Sequence, residues 1–136
     1  MSSWNDNVIA EFRDSKGETN HWGPKLVVMH TIGAKSGEVR LAPVVGFRSG
    51  DGWRVVASKG GAPDNPAWFH NVVAHPSFEL EALVDGEIAT VAVTARELTG
   101  DEYDAAWQEI VDEAPSFAEY TTKTDRRIPV FQLTRV

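Results

Sequence analysis

The spacing of apolar residues changes its period several times along the chain, and each change marks an element. Trp4, Val8 and Phe12 recur every fourth residue, which predicts one apolar helical face over about 4–16. Asn5 or Asp6 can cap that helix and Gly17 can end it. From Lys25 the texture turns β-branched. "KLVVMHTI" runs to Gly33, turn chemistry follows at Lys35-Ser36-Gly37, and "VRLAPVVGFR" resumes the strand, with Pro43 marking an edge or a bulge. "SGDG" at 49–52 is a turn, and "WRVVAS" is the next strand. A helix is predicted over 66–75. "FELEALV" then alternates apolar and acidic residues, as a strand with one wet face does. Asp85-Gly86 is a hairpin signal, with "EIATVAVTARELT" as its partner strand.

Helical spacing returns near the C-terminus. Thr99 and Glu102 have the spacing of a capping box, ahead of Tyr103, Trp107, Ile110 and Ala114 on one face. Pro115-Ser116 breaks that helix, and Ser116 and Glu119 can cap a short successor carrying Phe117 and Tyr120. "IPVFQLTRV" closes the chain as a strand. The order α-βββ-α-ββ-αα-β, with hairpin-length links between most neighbouring strands, predicts an α+β fold. Its sheet is mainly antiparallel and curled into a barrel, with helices packed outside. No linker or repeat divides residues 1–136, so one domain is expected.

Composition narrows the function classes. There is no cysteine, which excludes disulfides, thiolate metal sites and cysteine nucleophiles. No apolar run reaches the roughly 20 residues of a membrane helix, and "MSSWNDNVIAEF" lacks the layout of a secretory signal. A cytoplasmic protein without stable membrane insertion is expected. The net charge of −7 argues against nucleic acid as a partner. The charge is uneven, however. Residues 23–60 hold six cations (Lys25, Lys35, Arg40, Arg48, Arg54, Lys59) against Glu38 and Asp51, a balance of +4 that leaves −11 for the rest. A basic segment inside an acidic chain suggests a local anion site.

Self-contained chemistry is missing. "GAKSG" has the wrong spacing for a nucleophile elbow, and neither a phosphate-binding P-loop nor a dinucleotide fingerprint is present. His21, His30, His70 and His75 form no tight ligand pair, so no metal is expected. If the chain is an enzyme, its reactivity would come from a cofactor. The place for one is "WRVVASKGGAPDNPAWFHNVVAHP", residues 53–76. Gly60 and Gly61 can expose consecutive amides as an anion nest. Lys59 adds charge and Ser58 a hydroxyl, while Asn65 and Pro66 suit a helix N-terminus. Trp68 and Phe69 offer flat apolar surface, and the hairpin with Lys35, Ser36 and Arg40 could meet this corner across adjacent strands. A ligand with an acidic tail and a planar ring would suit it; an ordinary glycine-rich connection is the plainer reading.

"GAKSGEVRLAPVV", the corner itself and "TKTDRRIPVFQL" together resemble the deazaflavin-dependent nitroreductase family, a branch of the split β-barrel (FMN-binding-like) flavin and deazaflavin oxidoreductases. The likeness covers about the whole chain. It implies that Lys35 and Arg40 bind the phosphate and acidic tail of coenzyme F420, and that Ser58, Lys59, Gly60 and Gly61 cradle the tail. It sets Pro43, Val44 and Val45 beside the deazaflavin, with Asn65, Trp68 and Asn71 at contact or supporting positions. It further implies hydride transfer to quinones, enones or nitro compounds, with Ser58, Tyr120 or bulk water as proton donor. Family members noted for nitroimidazole reduction carry several tyrosines where this chain has Phe117, Tyr120 and Lys123, so quinones or enones are the expected acceptors. The alternatives are a non-catalytic deazaflavin carrier and an FMN-using relative. The expected assembly is a monomer or a homodimer, with peripheral membrane contact only through a lipophilic quinone.

Overall fold

The computed structural model of the protein describes residues 3–16, 25–50, 52–57, 66–120 and 128–136, without the side chains of Ser3, Trp4, Asn5, Ser116 and Tyr120. Among the described residues there are four helices and six strands, in the order the spacing predicts: α1 (Ser3–Asp14), β1 (Leu26–Ile32), β2 (Val39–Ser49), β3 (Gly52–Val56), α2 (Ala67–Ala74), β4 (Ser77–Val84), β5 (Glu87–Glu97), α3 (Gly100–Glu113), α4 (Ser116–Tyr120) and β6 (Val130–Arg135). The strands close into an antiparallel barrel in the spatial order β1-β2-β3-β6-β5-β4. No helix among the described residues is long and apolar enough to cross a membrane.

Period-2 alternation sorts the side chains. Val27 and Met29 of β1, Ala42 of β2, Trp53 and Val55 of β3, Leu80 and Ala82 of β4, Val93 of β5, and Phe131 and Leu133 of β6 fill the interior. Intervening residues face outward under helices: Leu26 and Val28 under α1 with Val8, Ile9 and Phe12, and Phe47, Val56 and Val130 under α3 with Ala106 and Ile110. Two glycines have clear duties. A side chain on Gly52 would overlap the Leu133 carbonyl, so β3 can lie against β6 only with glycine there. Gly86 (φ 82°) and Asp85 (φ 52°) form the tight β4–β5 hairpin that their sequence predicts.

Several local expectations are corrected. Helix α1 begins at Ser3, so Asn5 and Asp6 lie inside its first turn and cannot cap it. Lys16 takes the left-handed conformation (φ 58°) at its end, the role expected of Gly17, which lies outside the described residues. The Thr99–Glu102 capping box does not form. Thr99 makes no side-chain cap bond, because Glu102 instead receives both terminal nitrogens of Arg96 at 2.6 and 2.8 Å. At α2, Pro66 itself is the N-cap residue, one position later than an Asn65 cap would place it. The outer face of β4 is wet only in part: Ser77 and Glu79 are exposed, but Glu81 is 6 % exposed beneath α1.

Candidate functional site

The candidate site residues that the structure describes gather around the end of the barrel where β1 passes into β2. The connecting turn closes itself with Gly33 N–H to Glu38 O (2.7 Å) and Gly37 N–H to Gly33 O (2.9 Å), helped by the left-handed Gly37 (φ 72°). Lys35 sits exposed in this turn with no carboxylate partner among the described residues. Arg40 follows on β2, half exposed and 3.2 Å from the exposed carboxylate of Glu38. Such an exposed pair holds its partners weakly and can be exchanged for a stronger anion.

Helix α2 lies across the same end. Val72 is buried in the barrel core, and Trp68 and Phe69 pack their rings 6.0 and 5.7 Å from Phe131. Trp68 is therefore half core and half surface, where its sequence position suggested open apolar surface. Asn71 faces the hairpin: its Oδ1 accepts the Ala34 N–H at 3.0 Å, and its Nδ2 donates to Thr31 Oγ1 at 3.3 Å.

Pro43, Val44 and Val45 lie on a part of β2 with an open side. Strand β3 pairs with β2 only from Gly46 to Ser49, so residues 39–45 have β1 on one side and no strand among the described residues on the other. The Gly46 N–H bonds to Lys25 O at 2.8 Å. Alternation of the ladder then makes Val28–Pro43 a non-hydrogen-bonded pair, with the backbone of Leu41, Pro43 and Val45 turned away from β1. The sequence expectation of an edge or bulge resolves as an edge. The register runs through Pro43 without a bulge, and its missing N–H falls on the open side. Val44 packs on the barrel core and Val45 on the outer cluster beneath α3, which Phe117 of α4 also joins, edge-on against Phe47 at 5.6 Å. Tyr120 ends α4. Ser58, Lys59, Gly60, Gly61 and Asn65 lie outside the described residues.

The basic segment does not form one patch. Lys25 stands at the start of β1, roughly 20 Å of strand away from the hairpin, and pairs with Glu113 at 2.9 Å. Arg48 stacks on Trp53 at 4.6 Å, and Arg54 pairs with Glu109 at 2.6 Å. Lys25, Arg48, Val27, Gly46, Trp53, Leu83 and Glu113 line a cavity of about 240 Å³ at that far end, which contains none of the predicted site residues. Only Lys35 and Arg40, of the described cations in this segment, stand at the α2 end.

Spacing could not reveal two other polar links. Glu81 accepts Arg13 Nε at 3.1 Å and Nη2 at 2.7 Å, and lies 2.6 Å from His30 Nε2. Burial pushes the Glu81 carboxyl up, but the hydrogen bonds and charges of Arg13 and His30 outweigh it and hold the group below its usual range. Tyr103 donates to the Ile128 carbonyl at 2.6 Å, tying α3 to the start of the last strand.

The chain can now be set beside known proteins. It is 36% identical over 133 residues to an F420H(2)-dependent quinone reductase of Mycobacterium tuberculosis (strain ATCC 25618 / H37Rv), covering 93% of this chain and 86% of that protein. A solved structure described as an F420-H2 dependent reductase (FDR-A) superposes with a TM-score of 0.70 at 40% identity, over 81% of this chain and 94% of that one. Another, described as a domain-swapped dimer, gives a TM-score of 0.73 at 35% identity, over 98% of this chain and 100% of that one. The model of one family, F420H(2)-dependent quinone reductase, matches residues 4–135. The deazaflavin likeness read from the hairpin and the corner therefore resolves to quinone reductases by description, and with a match running from α1 to β6, the chain belongs to the F420H(2)-dependent quinone reductase family.

Proposed function

We propose that this protein is an F420H2-dependent oxidoreductase whose acceptors are quinones, enones or related conjugated compounds, and that the coenzyme lies along the open side of β2. The observation that carries this reading is the arrangement at one barrel end. A strand edge free of β3, interrupted by Pro43, runs directly from a turn bearing Lys35 and Arg40. The residues fit an elongated ligand with a planar ring and an acidic tail. Apolar, half-buried Pro43, Val44 and Trp68 suit the ring, and the uncommitted Lys35 and weakly held Arg40 suit the tail.

When bound, the reduced deazaflavin supplies a hydride equivalent from C5. The protein's part is to hold the ring against the strand edge and to anchor the tail. Lys35, Arg40 and Lys59 would neutralise the tail, with the Gly60 and Gly61 amides beside them. A carbonyl acceptor gains negative charge on oxygen as it is reduced and needs a proton there. Ser58 and Tyr120 are the hydroxyls of this chain proposed to give it, with bulk water as the third source. Nitro compounds rank below quinones, because Phe117 and Lys123 stand in place of hydroxyl-bearing side chains.

Parallel fluorescence titrations with F420 and FMN test the reading, followed by turnover with menadione and cyclohexenone. F420 should bind at micromolar or tighter Kd and FMN more weakly. Lys35→Ala should raise the F420 Kd by the roughly 1.5–3 kcal/mol of a charge-assisted hydrogen bond. A preference for FMN would overturn the cofactor, and tight F420 binding without turnover on any acceptor would make the protein a carrier.

A further inference from the structure

The geometry points to Asn71 and Thr31 as a positioning brace that presets the β1–β2 hairpin for the coenzyme's acidic tail, an inference that rests on the functional reading above. Three hydrogen bonds form one chain through the site. Asn71 Oδ1 accepts the Ala34 N–H at 3.0 Å, Asn71 Nδ2 donates to Thr31 Oγ1 at 3.3 Å, and Thr31 Oγ1 donates to the Arg40 carbonyl at 2.6 Å.

The direction of each bond follows from the groups themselves. The Ala34 backbone nitrogen can only donate, so it must meet the amide oxygen. The Thr31 hydroxyl proton is spent on the Arg40 carbonyl, so its oxygen must accept from the amide nitrogen. The amide is thereby fixed in one orientation, with both ends engaged by the protein. In this reading Asn71 acts through its neighbours, in the supporting one of the two roles that the sequence likeness implies.

The three atoms it governs are well chosen for that purpose. Ala34 immediately precedes Lys35, and Arg40 is the residue opposite Thr31 in the β1–β2 ladder. Thr31 is fully buried, one of two buried polar or charged side chains among the described residues. It gives the brace a rigid inner anchor. The turn's own bonds shape the loop from Gly33 to Glu38, but among the described residues only Asn71 fastens Ala34 to another element. Because α2 follows residues 58–65 in the chain, the same amide also ties the element after the glycine corner to the hairpin. A tail that meets the hairpin finds that loop already ordered, and the cost of ordering it does not weaken binding.

The test combines F420 titration with amide exchange of the ligand-free protein by NMR, on Asn71→Ala, Thr31→Val and Thr31→Ser. Asn71→Ala should raise the F420 Kd about tenfold and speed Ala34 N–H exchange at least tenfold before any ligand is added. Its kcat with menadione at saturating F420H2 should stay within about twofold. Thr31→Val should move Kd and exchange in the same direction by less. Thr31→Ser, which keeps the hydroxyl, should restore both. If Asn71→Ala does not fold, Thr31→Val against Thr31→Ser carries the same comparison. Weaker binding with unchanged Ala34 exchange would overturn the brace and make Asn71 a direct ligand. Faster exchange with unchanged Kd would overturn it as a coenzyme device. Failure of the unaltered protein to bind F420 would instead overturn the functional reading, and the brace's purpose with it.

Discussion

His30 and Thr31 are adjacent on β1, point to opposite faces, and each fastens a different helix, by different chemistry. On the outer face His30 and Arg13 converge on Glu81, so α1 is held by a charged, largely buried link across 68 residues of sequence. On the inner face Thr31 meets Asn71, so α2 is held by neutral hydrogen bonds. A buried charge that loses its partner costs about 3–5 kcal/mol, whereas a buried neutral group left unpaired costs about 1–3 kcal/mol. The charged fastening therefore weighs more on stability. The neutral one can be strained or exchanged, which suits the end of the barrel where a ligand is proposed.

The largest effect that would sharpen this contrast comes from Arg13→Ala. It leaves the Glu81 carboxylate under α1 with His30 alone. Complete loss of a buried partner costs about 3–5 kcal/mol, and about 2 kcal/mol is expected here because Arg13 is half exposed. Urea unfolding would read the loss, and F420 affinity should stay put. A fall in affinity alongside stability would erase the distinction between the two faces. The link also has a pH signature. The Glu81 pKa is lower in the folded protein than in the unfolded chain, so its contribution is complete above the ordinary carboxylate pKa and disappears as pH falls through the folded value. The stability gap between the unaltered protein and Arg13→Ala should hold at neutral pH and close in acid. A gap that widens in acid would contradict the assignment.

Tyr103→Phe probes a third fastening, neutral like that of α2 but far from the hairpin. Loss of the bond to the Ile128 carbonyl should cost about 1 kcal/mol. The loss should show little pH dependence between 5 and 8; a pronounced acid dependence would mean that neutral and charged links are not separable as described. The smallest effect is expected from Lys25→Ala, which removes the exposed pair with Glu113. Less than about 1 kcal/mol should be lost, and less still in high salt. A larger loss would show that the cation contact with the Phe47 ring, at 5.7 Å, matters more than the ion pair.

Period and turn chemistry were enough to order every element, because both are local. Val8 and Phe12 declare a helical face, and Asp85-Gly86 declares a hairpin whatever surrounds them. Lys35 and Arg40 were legible as site candidates for a similar reason, since they flank one short turn. What a strand's neighbour will be is not local. That β3 stops pairing with β2 at Gly46, leaving Pro43 on an open side, depends on β6 taking up the other edge of β3. Glu81 looked like one of several solvated strand carboxylates, and only the seat of α1 over β4 buried it. The basic stretch over 23–60 suggested one local anion site, but the strands carry Lys25 and Lys35 to opposite ends of the barrel. Sequence determined the elements and the charges they carry, because helix, strand and turn answer to residues a few positions away. The tertiary structure decided which charges meet, because a closed barrel brings together residues that no spacing rule connects.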